Sequence, residues 1–260
     1  MDYSTELRNG KVNKKWTKFP HYGIIKERIM HKGFALMYTS AAAMWINSVF
    51  ASFDLSITQA IHDIFYPIKA FSSPFFDLIS LMGKGGIFLI ALSIVFILFK
   101  KTRRMGTAML FAVTIGFLLT NCCLKLLIAR ARPYTDETSL YYRLWLLVGQ
   151  RTESDNSFPS GHTTAAFATM TALFLTGNRK YSWTAFIFAF LMAIARIYLA
   201  VHFPSDCVAG MIVGLTAGII GTVIAVHLPQ KWYAWELTAK HGGSSQPGAH
   251  EGAHEKGDIP

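Results

Sequence analysis

Three short strings hold the residues that could do chemistry. The first runs from Lys125 to Pro133 and contains Arg130 and Arg132. Lys125 and Arg132 stand seven residues apart, almost two turns at about 3.6 residues per turn, so both cations share a face if the helix persists to Pro133. Arg130 is rotated by about 140° from Lys125 and leaves that face. Cations that merely snorkel to a membrane interface are the alternative, and they would need no particular spacing. The second string is Ser157 to Thr164. Ser160 is placed as a helix N-cap, the free N–H groups of the first turn form an anion site, Gly161 lets an anion approach the backbone, and His162 adds a titratable group. An ordinary Pro-Ser helix start with an interfacial His has the same appearance. The third string joins Arg196, His202, Pro204 and Asp206. Pro204 suits the first residue of a helix, which puts Asp206 in the first turn. From there its carboxylate can fold back on His202 and fix the tautomer of an activated imidazole. It could equally serve the helix dipole beside a surface His. Together the strings offer Lys125, Arg132 and Arg196, a helix N-terminus and two His. Three cations and backbone N–H groups suit a dianionic phosphate, and two His suit a nucleophile and an acid.

The elements that must position these strings are membrane helices. The chain has 260 residues, 52% hydrophobic and only 15% charged, against a usual charged share of roughly 25%. That composition excludes a disordered chain, a collagen-like fibre and a disulfide scaffold. Cys122, Cys123 and Cys207 are read as small buried hydrophobes. A spanning helix needs about 20 mainly apolar residues. Six such runs are expected: Gly33–Phe53, Gly85–Phe99 extended back toward Leu78, Met105–Ile128, Gly161–Thr176, Trp183–Val201 and Cys207–Leu228. The fold class is an all-α polytopic membrane helix bundle of six transmembrane helices, with interfacial segments on the outer side. A basic cytoplasmic segment, 1–32, precedes the six-span domain, 33–228, and a cytoplasmic tail, 229–260, follows it.

Charge orients the bundle. Of the 25 Lys and Arg, 17 fall in 1–32, 100–104, 177–182 and 229–260, and 8 elsewhere. Lys and Arg collect on the cytoplasmic side, so those segments are inside and all three strings lie at the outer ends of spans. The net charge of +10 is thereby explained without nucleic acid. Val49 to Ala51 faintly resembles a signal cleavage site, but the leader before the apolar run is too long for an ordinary n-region. Asp54–Leu78 reads as interfacial or re-entrant. In the outer loop Pro133–Pro159, the rings of Tyr141, Tyr142 and Trp145 favour the headgroup level. Gly210, Gly214 and Gly218 form a small-residue stripe suited to close helix packing within the chain rather than to a dimer seam. The tail from His241 is rich in Gly, Ser and Pro and is expected to be disordered. It contains His250 and His254 in an H-E-x-x-H string, which binds zinc only on a helix within a folded site. No metal site is expected from it.

The three strings resemble the signature of the type 2 phosphatidic acid phosphatase family: K-x6-R-P at Lys125 to Pro133, P-S-G-H at Pro159 to His162, and R-x5-H-x3-D at Arg196, His202 and Asp206. Ala195 stands where the family pattern has Ser, a change that should tune the site rather than remove it. The resemblance implies an integral-membrane lipid phosphatase, similar to bacterial phosphatidylglycerophosphatase or undecaprenyl pyrophosphate phosphatase enzymes. It implies that His202 attacks phosphorus, Asp206 orients it and His162 protonates the leaving oxygen. Lys125, Arg132, Arg196, Ser160 and Gly161 would hold the phosphoryl oxygens. No metal or other cofactor is implied, and no carboxylate cluster lies near the strings. The implied substrate is undecaprenyl pyrophosphate, phosphatidylglycerol phosphate, phosphatidic acid or lipid A, met at the extracytoplasmic face of a bacterial inner membrane. The alternatives are a phosphotransferase of the same family, or a non-catalytic transporter or anion-binding protein. Intact His162, His202 and Asp206 argue against the last, because anion binding needs only the cations.

Overall fold

Long apolar runs can satisfy their backbone polar groups in lipid only as helices or closed barrels. The computed structural model describes residues 40–234, and these are all-helical, with no strand among them. The basic segment 1–32, the start of the first expected span, the tail from His241 and the His250–His254 string lie outside the described residues.

Helices α1 (Ala41–Val49) and α2 (Ala51–Phe65) follow one another. Ser40 caps α1, its Oγ accepting from the Ala43 N–H and donating to the Ile128 carbonyl. After a 3-10 turn, Tyr66–Ile68, comes α3 (Lys69–Gly83). Gly85 and Gly86, at φ 60° and 69°, then turn the chain into α4 (Ile87–Leu98). These left-handed positions favour glycine, and they cut the second expected span away from Leu78. Helix α5 (Arg103–Phe117) passes through a π-helical segment, Leu118–Leu124, into the short α6 (Lys125–Ile128). Helix α7 (Leu140–Leu147), capped by Ser139, lies in the long connection to α8 (Gly161–Thr176). Then come α9 (Arg179–Ser182), α10 (Ala185–Tyr198) and α11 (Pro204–His227).

Among the described residues, four helical stretches are long and apolar enough to cross a membrane: Ala51–Leu98, Arg103–Thr135, Arg179–Tyr198 and Pro204–His227. Outward faces are apolar, as lipid would require: Phe71, Ile87, Leu126 and Leu127 are the most exposed of the large apolar side chains among the described residues, while Lys125, just before Leu126, is buried. The same inversion corrects the reading of the cysteines. Cys207 is buried, but Cys122 and Cys123 are exposed, because an apolar run looks alike whether it faces lipid or core.

Helix α8 sits at the centre, against α11, α5 and α10. The glycine stripe is what lets α11 approach. A Cβ at Gly210 would lie 2.7 Å from the Ser160 carbonyl, one at Gly214 2.7 Å from the Thr164 carbonyl, and one at Gly218 2.5 Å from Thr171 Cβ. The stripe is thus consumed within the chain. Trp145 does not turn its ring outward. It is buried, stacked on Tyr134 at 5.1 Å between centroids.

Candidate active site

The three strings meet at one end of the bundle. Helix α6 stops at Ile128 because Ala129 adopts φ 47°. The helix therefore does not persist to Pro133, and Lys125 and Arg132 are not brought together by helical phase. They converge because the chain turns back and both grip one carboxylate. Lys125 Nζ pairs with Asp155 Oδ2. Arg132 Nη2 donates to Asp155 Oδ1 at 2.5 Å and Nε to the Asp155 carbonyl at 2.9 Å. Arg196 donates from Nη2 to Glu153 and from Nη1 to Ser80 Oγ of α3. Lys125, Arg132 and Arg196 are each at most 5% exposed. Burial works against the charge of Asp155, but Lys125 and Arg132 outweigh it and hold the carboxyl at about 2.

The segment bearing Glu153 and Asp155 is braced from outside. Tyr134 Oη donates to the Glu153 carbonyl and accepts from its N–H. Trp145 Nε1 donates to the Arg151 carbonyl at 2.7 Å, and Arg151 makes a two-armed pair with Asp77. So two carboxylates sit on three buried cations, as the oxygens of a bound anion would.

Ser160 caps α8, with its Oγ accepting from Thr163 N–H. The space beside Gly161 opens toward Lys125: a Cβ there would lie 3.6 Å from Nζ. The ring of His162 packs against Gly83, where a Cβ would come within 2.7 Å of Cδ2. It lies within the fields of Arg196, His202, Arg132 and Lys125. Ser160 N–H donates to the Asp206 carbonyl at 3.0 Å, joining the second string to the third.

His202 is 2% exposed. Its Nε2 lies 3.2 Å from Arg132 Nη1. Arginine has no acceptor, so Nε2 carries the lone pair and the ring proton is assigned to Nδ1. Nδ1 faces Ser157 Oγ at 3.4 Å and Asp206 Oδ2 at 3.5 Å. Asp206 Oδ2 also accepts from Ser157 Oγ at 2.5 Å and from Phe203 N–H at 2.9 Å. Burial, then Arg132, Arg196 and Lys125, push the imidazole well below its ordinary pKa. The result is a neutral imidazole whose unprotonated nitrogen points at the cation cluster, an arrangement able to attack a bound electrophilic anion.

All eight residues singled out above, Lys125, Arg132, Ser160, Gly161, His162, Arg196, His202 and Asp206, are drawn into this one region. Several neighbours carried no signal in the strings. Glu153, Asp155 and Ser80 supply partners to the cations. Ser157 stands within the second string but had no assigned part. Arg130, which leaves the Lys125 face, reaches Asp206 Oδ1 instead. Asp54 of α2 meets it there. The one available hint was the placing of Asp54, Thr58 and His62 at four-residue intervals, a buried polar face on an apolar helix.

The sequence model of the PAP2 superfamily matches residues 101–230, half of the chain. The chain belongs to the PAP2 superfamily. This PAP2 protein is 32% identical over 119 residues to the undecaprenyl-diphosphatase of Sulfolobus acidocaldarius, 45% of this chain and 54% of that one. It is 30% identical over 165 residues to the lipid A 4'-phosphatase of Porphyromonas gingivalis, 61% of this chain and 68% of that one. It thus spans about half the length of the Sulfolobus relative and two thirds of the Porphyromonas one. The crystal structure of the first transmembrane PAP2 type phosphatidylglycerolphosphate phosphatase from Bacillus subtilis aligns with a TM-score of 0.54 and 28% identity, over 76% of this chain and 94% of that one. All three strings fall inside the region matched to the PAP2 superfamily; Asp54 and Ser80 precede it.

Proposed function

We propose that the protein hydrolyses a phosphate or pyrophosphate from a membrane lipid through a phosphohistidine. The observation that carries this reading is the lone pair of His202 Nε2 facing three buried cations that already hold carboxylates. The phosphoryl oxygens replace Glu153 and Asp155 on Lys125, Arg132 and Arg196, with the Gly161 N–H and Ser160 beside them. Nε2 attacks phosphorus, forming the N–P bond as the P–O bond to the lipid breaks. Protonated His162 gives its proton to the departing oxygen. Asp206 and Ser157 face the Nδ1–H and stabilise the charge that develops on the ring. In the second half, neutral His162 takes a proton from water, the water oxygen attacks phosphorus, the N–P bond breaks and phosphate leaves. The positive charge on the three side chains supplies the electrostatic stabilisation.

The substrate class is undecaprenyl pyrophosphate, phosphatidylglycerol phosphate or phosphatidic acid. The names of the relatives support a lipid-linked phosphate or diphosphate. The bundle is read as six spans, with the site and α7 at the extracytoplasmic face of a plasma membrane.

The test separates the two histidines by leaving group. His202→Ala removes the attacking nitrogen and should abolish both activity and acid-labile, base-stable phosphoenzyme. His162→Ala removes the acid, a loss of about 10² to 10⁴ in rate on a lipid monophosphate. That loss should be much smaller on p-nitrophenyl phosphate, whose leaving group needs no proton. Rescue of His202→Ala but not His162→Ala by the activated ester would reverse the roles. Near-normal lipid hydrolysis by both variants would end the proposal.

A further inference from the structure

Arg130 is among the largest fully buried side chains, at 1% exposure, yet it takes no part in holding the anion. Its guanidinium is bonded along every edge. Nε donates to Asn47 Oδ1 at 2.7 Å, and Nη2 to Asp54 Oδ2 at 2.9 Å. Nη1 donates to Ser205 Oγ at 2.8 Å and to Asp206 Oδ1 at 2.5 Å. Its face covers the Phe203 ring, 3.9 Å from the centroid. Asp54, also 1% exposed, accepts from Ser205 N–H at 2.7 Å and from Ser205 Oγ at 2.8 Å. The Arg130 carbonyl accepts from Ser157 N–H at 2.8 Å.

A buried guanidinium between two carboxylates is weak evidence for stability, since apolar side chains of like volume often serve as well. What singles this one out is its target. By taking Oδ1 of Asp206, it leaves Oδ2 as the oxygen that Ser157, Phe203 N–H and His202 Nδ1 face. The planar guanidinium holds Nη1 on Asp206 while Nη2 stays on Asp54, a two-ended geometry that a point charge could not keep. It also steadies the ring next to His202 in the chain and the residue, Ser157, that bridges His202 and Asp206.

We propose that Arg130, anchored by Asp54, is a positioning residue that sets Asp206 and through it the attacking nitrogen of His202. This rests on the reading of His202 as the nucleophile. Arg130 bonds Asn47, Asp54, Ser205 and Asp206 rather than the carboxylates on Lys125, Arg132 and Arg196, so it governs the rate of phosphoryl transfer and not the affinity for the anion.

The experiment is a double-mutant comparison on purified full-length protein. The rate of phosphoenzyme formation and the inhibition constant of inorganic phosphate are measured for Arg130→Lys, Arg130→Met, Asp206→Ala and both double variants. Each Arg130 change should slow phosphorylation by about 10- to 100-fold, the usual size for a group that orients a reacting side chain. The inorganic phosphate constant should stay within about threefold, because its cations are untouched. In the Asp206→Ala background the same Arg130 changes should add less than about threefold, as for groups that act as a unit. Arg130→Lys keeps the charge between the two carboxylates, so it preserves a readable protein should Arg130→Met fail to fold. Equal slowing in both backgrounds, or a phosphate constant that moves with the rate, would overturn the positioning role. A His202→Ala control run alongside isolates the parent reading. If that variant still hydrolyses lipid phosphate, the phosphohistidine assignment falls and the positioning role with it. If His202 is essential and the Arg130 effects are additive, only the positioning role falls.

Discussion

Asp155 occupies, from within the chain, the place proposed for a phosphoryl oxygen. Any anion that enters must displace a tethered competitor. The Asp155 side chain is 46% exposed, and ion pairs of that kind are worth up to about 1 kcal/mol. Asp155→Asn is therefore expected to tighten orthovanadate inhibition by about fivefold. Titration of the purified protein with vanadate measures this; a weaker constant would mean that Asp155 helps to build the site. The pH dependence follows from the depressed carboxyl. Its ion pairs are fully present above its ordinary value near 4 and are lost as pH falls through about 2. The competition is thus constant across working pH. His202 has the opposite charge type. Its lowered pKa keeps the ring neutral as pH falls through 6.5, so His202 should impose no acid limb on kcat/KM there.

Helix ends decide how legible the fold and site were. The bounds of α8 were readable because Ser160 and Gly161 have the chemistry of a cap and a first turn, and Pro204 opened α11 for the same reason. Ala129 gave no such sign. Alanine is a strong helix former, yet here it takes a left-handed conformation that ends α6 and sends Arg130 toward Asp206. The partners Glu153 and Asp155 were invisible for another reason: they lie in a connection without periodicity, 23 to 43 residues from the cations they meet. Sequence spacing reports faces of one helix, and this site is made by chain reversal. Left-handed alanine costs roughly 1–2 kcal/mol. Ala129→Gly relieves that strain while losing about 0.5–1 kcal/mol through the freer unfolded chain. It should leave the unfolding midpoint in detergent unchanged or higher. Ala129→Val, with a branched Cβ at the same φ, should lower the midpoint, for a loss of stability of about 1–2 kcal/mol. Loss of stability in both would show that the turn is held by something other than backbone preference.

The molecule as a whole has one end rich in basic loops and one end bearing the site. Arg103 opens α5 and Lys125 opens α6, 22 residues later, about 33 Å along a helix, close to the thickness of a hydrocarbon core. At the Arg103 end, Lys101 and Arg104 share a cavity with Asn178 and Tyr181, so the loops near 100–104 and 177–182 lie together. The orientation drawn from the 17 basic residues can be checked in a background in which exposed Cys122 and Cys123 are replaced by serine. Thr138→Cys should react with an impermeant maleimide from outside spheroplasts, and Lys180→Cys only after lysis. The reverse pattern would invert the topology.

The glycine stripe has a mechanical consequence. The backbone that bears Ser160 and His162 touches the backbone that bears Asp206, and the Ser160–Asp206 hydrogen bond pins them at the site itself. No hinge can operate between those two helices without tearing contacts that a single methyl group would already fill. Residues 151–156, by contrast, are tied down chiefly by side chains, through Tyr134, Trp145, Asp77 and Arg132. Whatever freedom a headgroup needs for entry must be found in that strap. The bond-making half of the site is a fixed anvil, and the strap is a separate part held by side chains. Lipids with one headgroup and different tails should accordingly differ in how fast they arrive rather than in how fast they react.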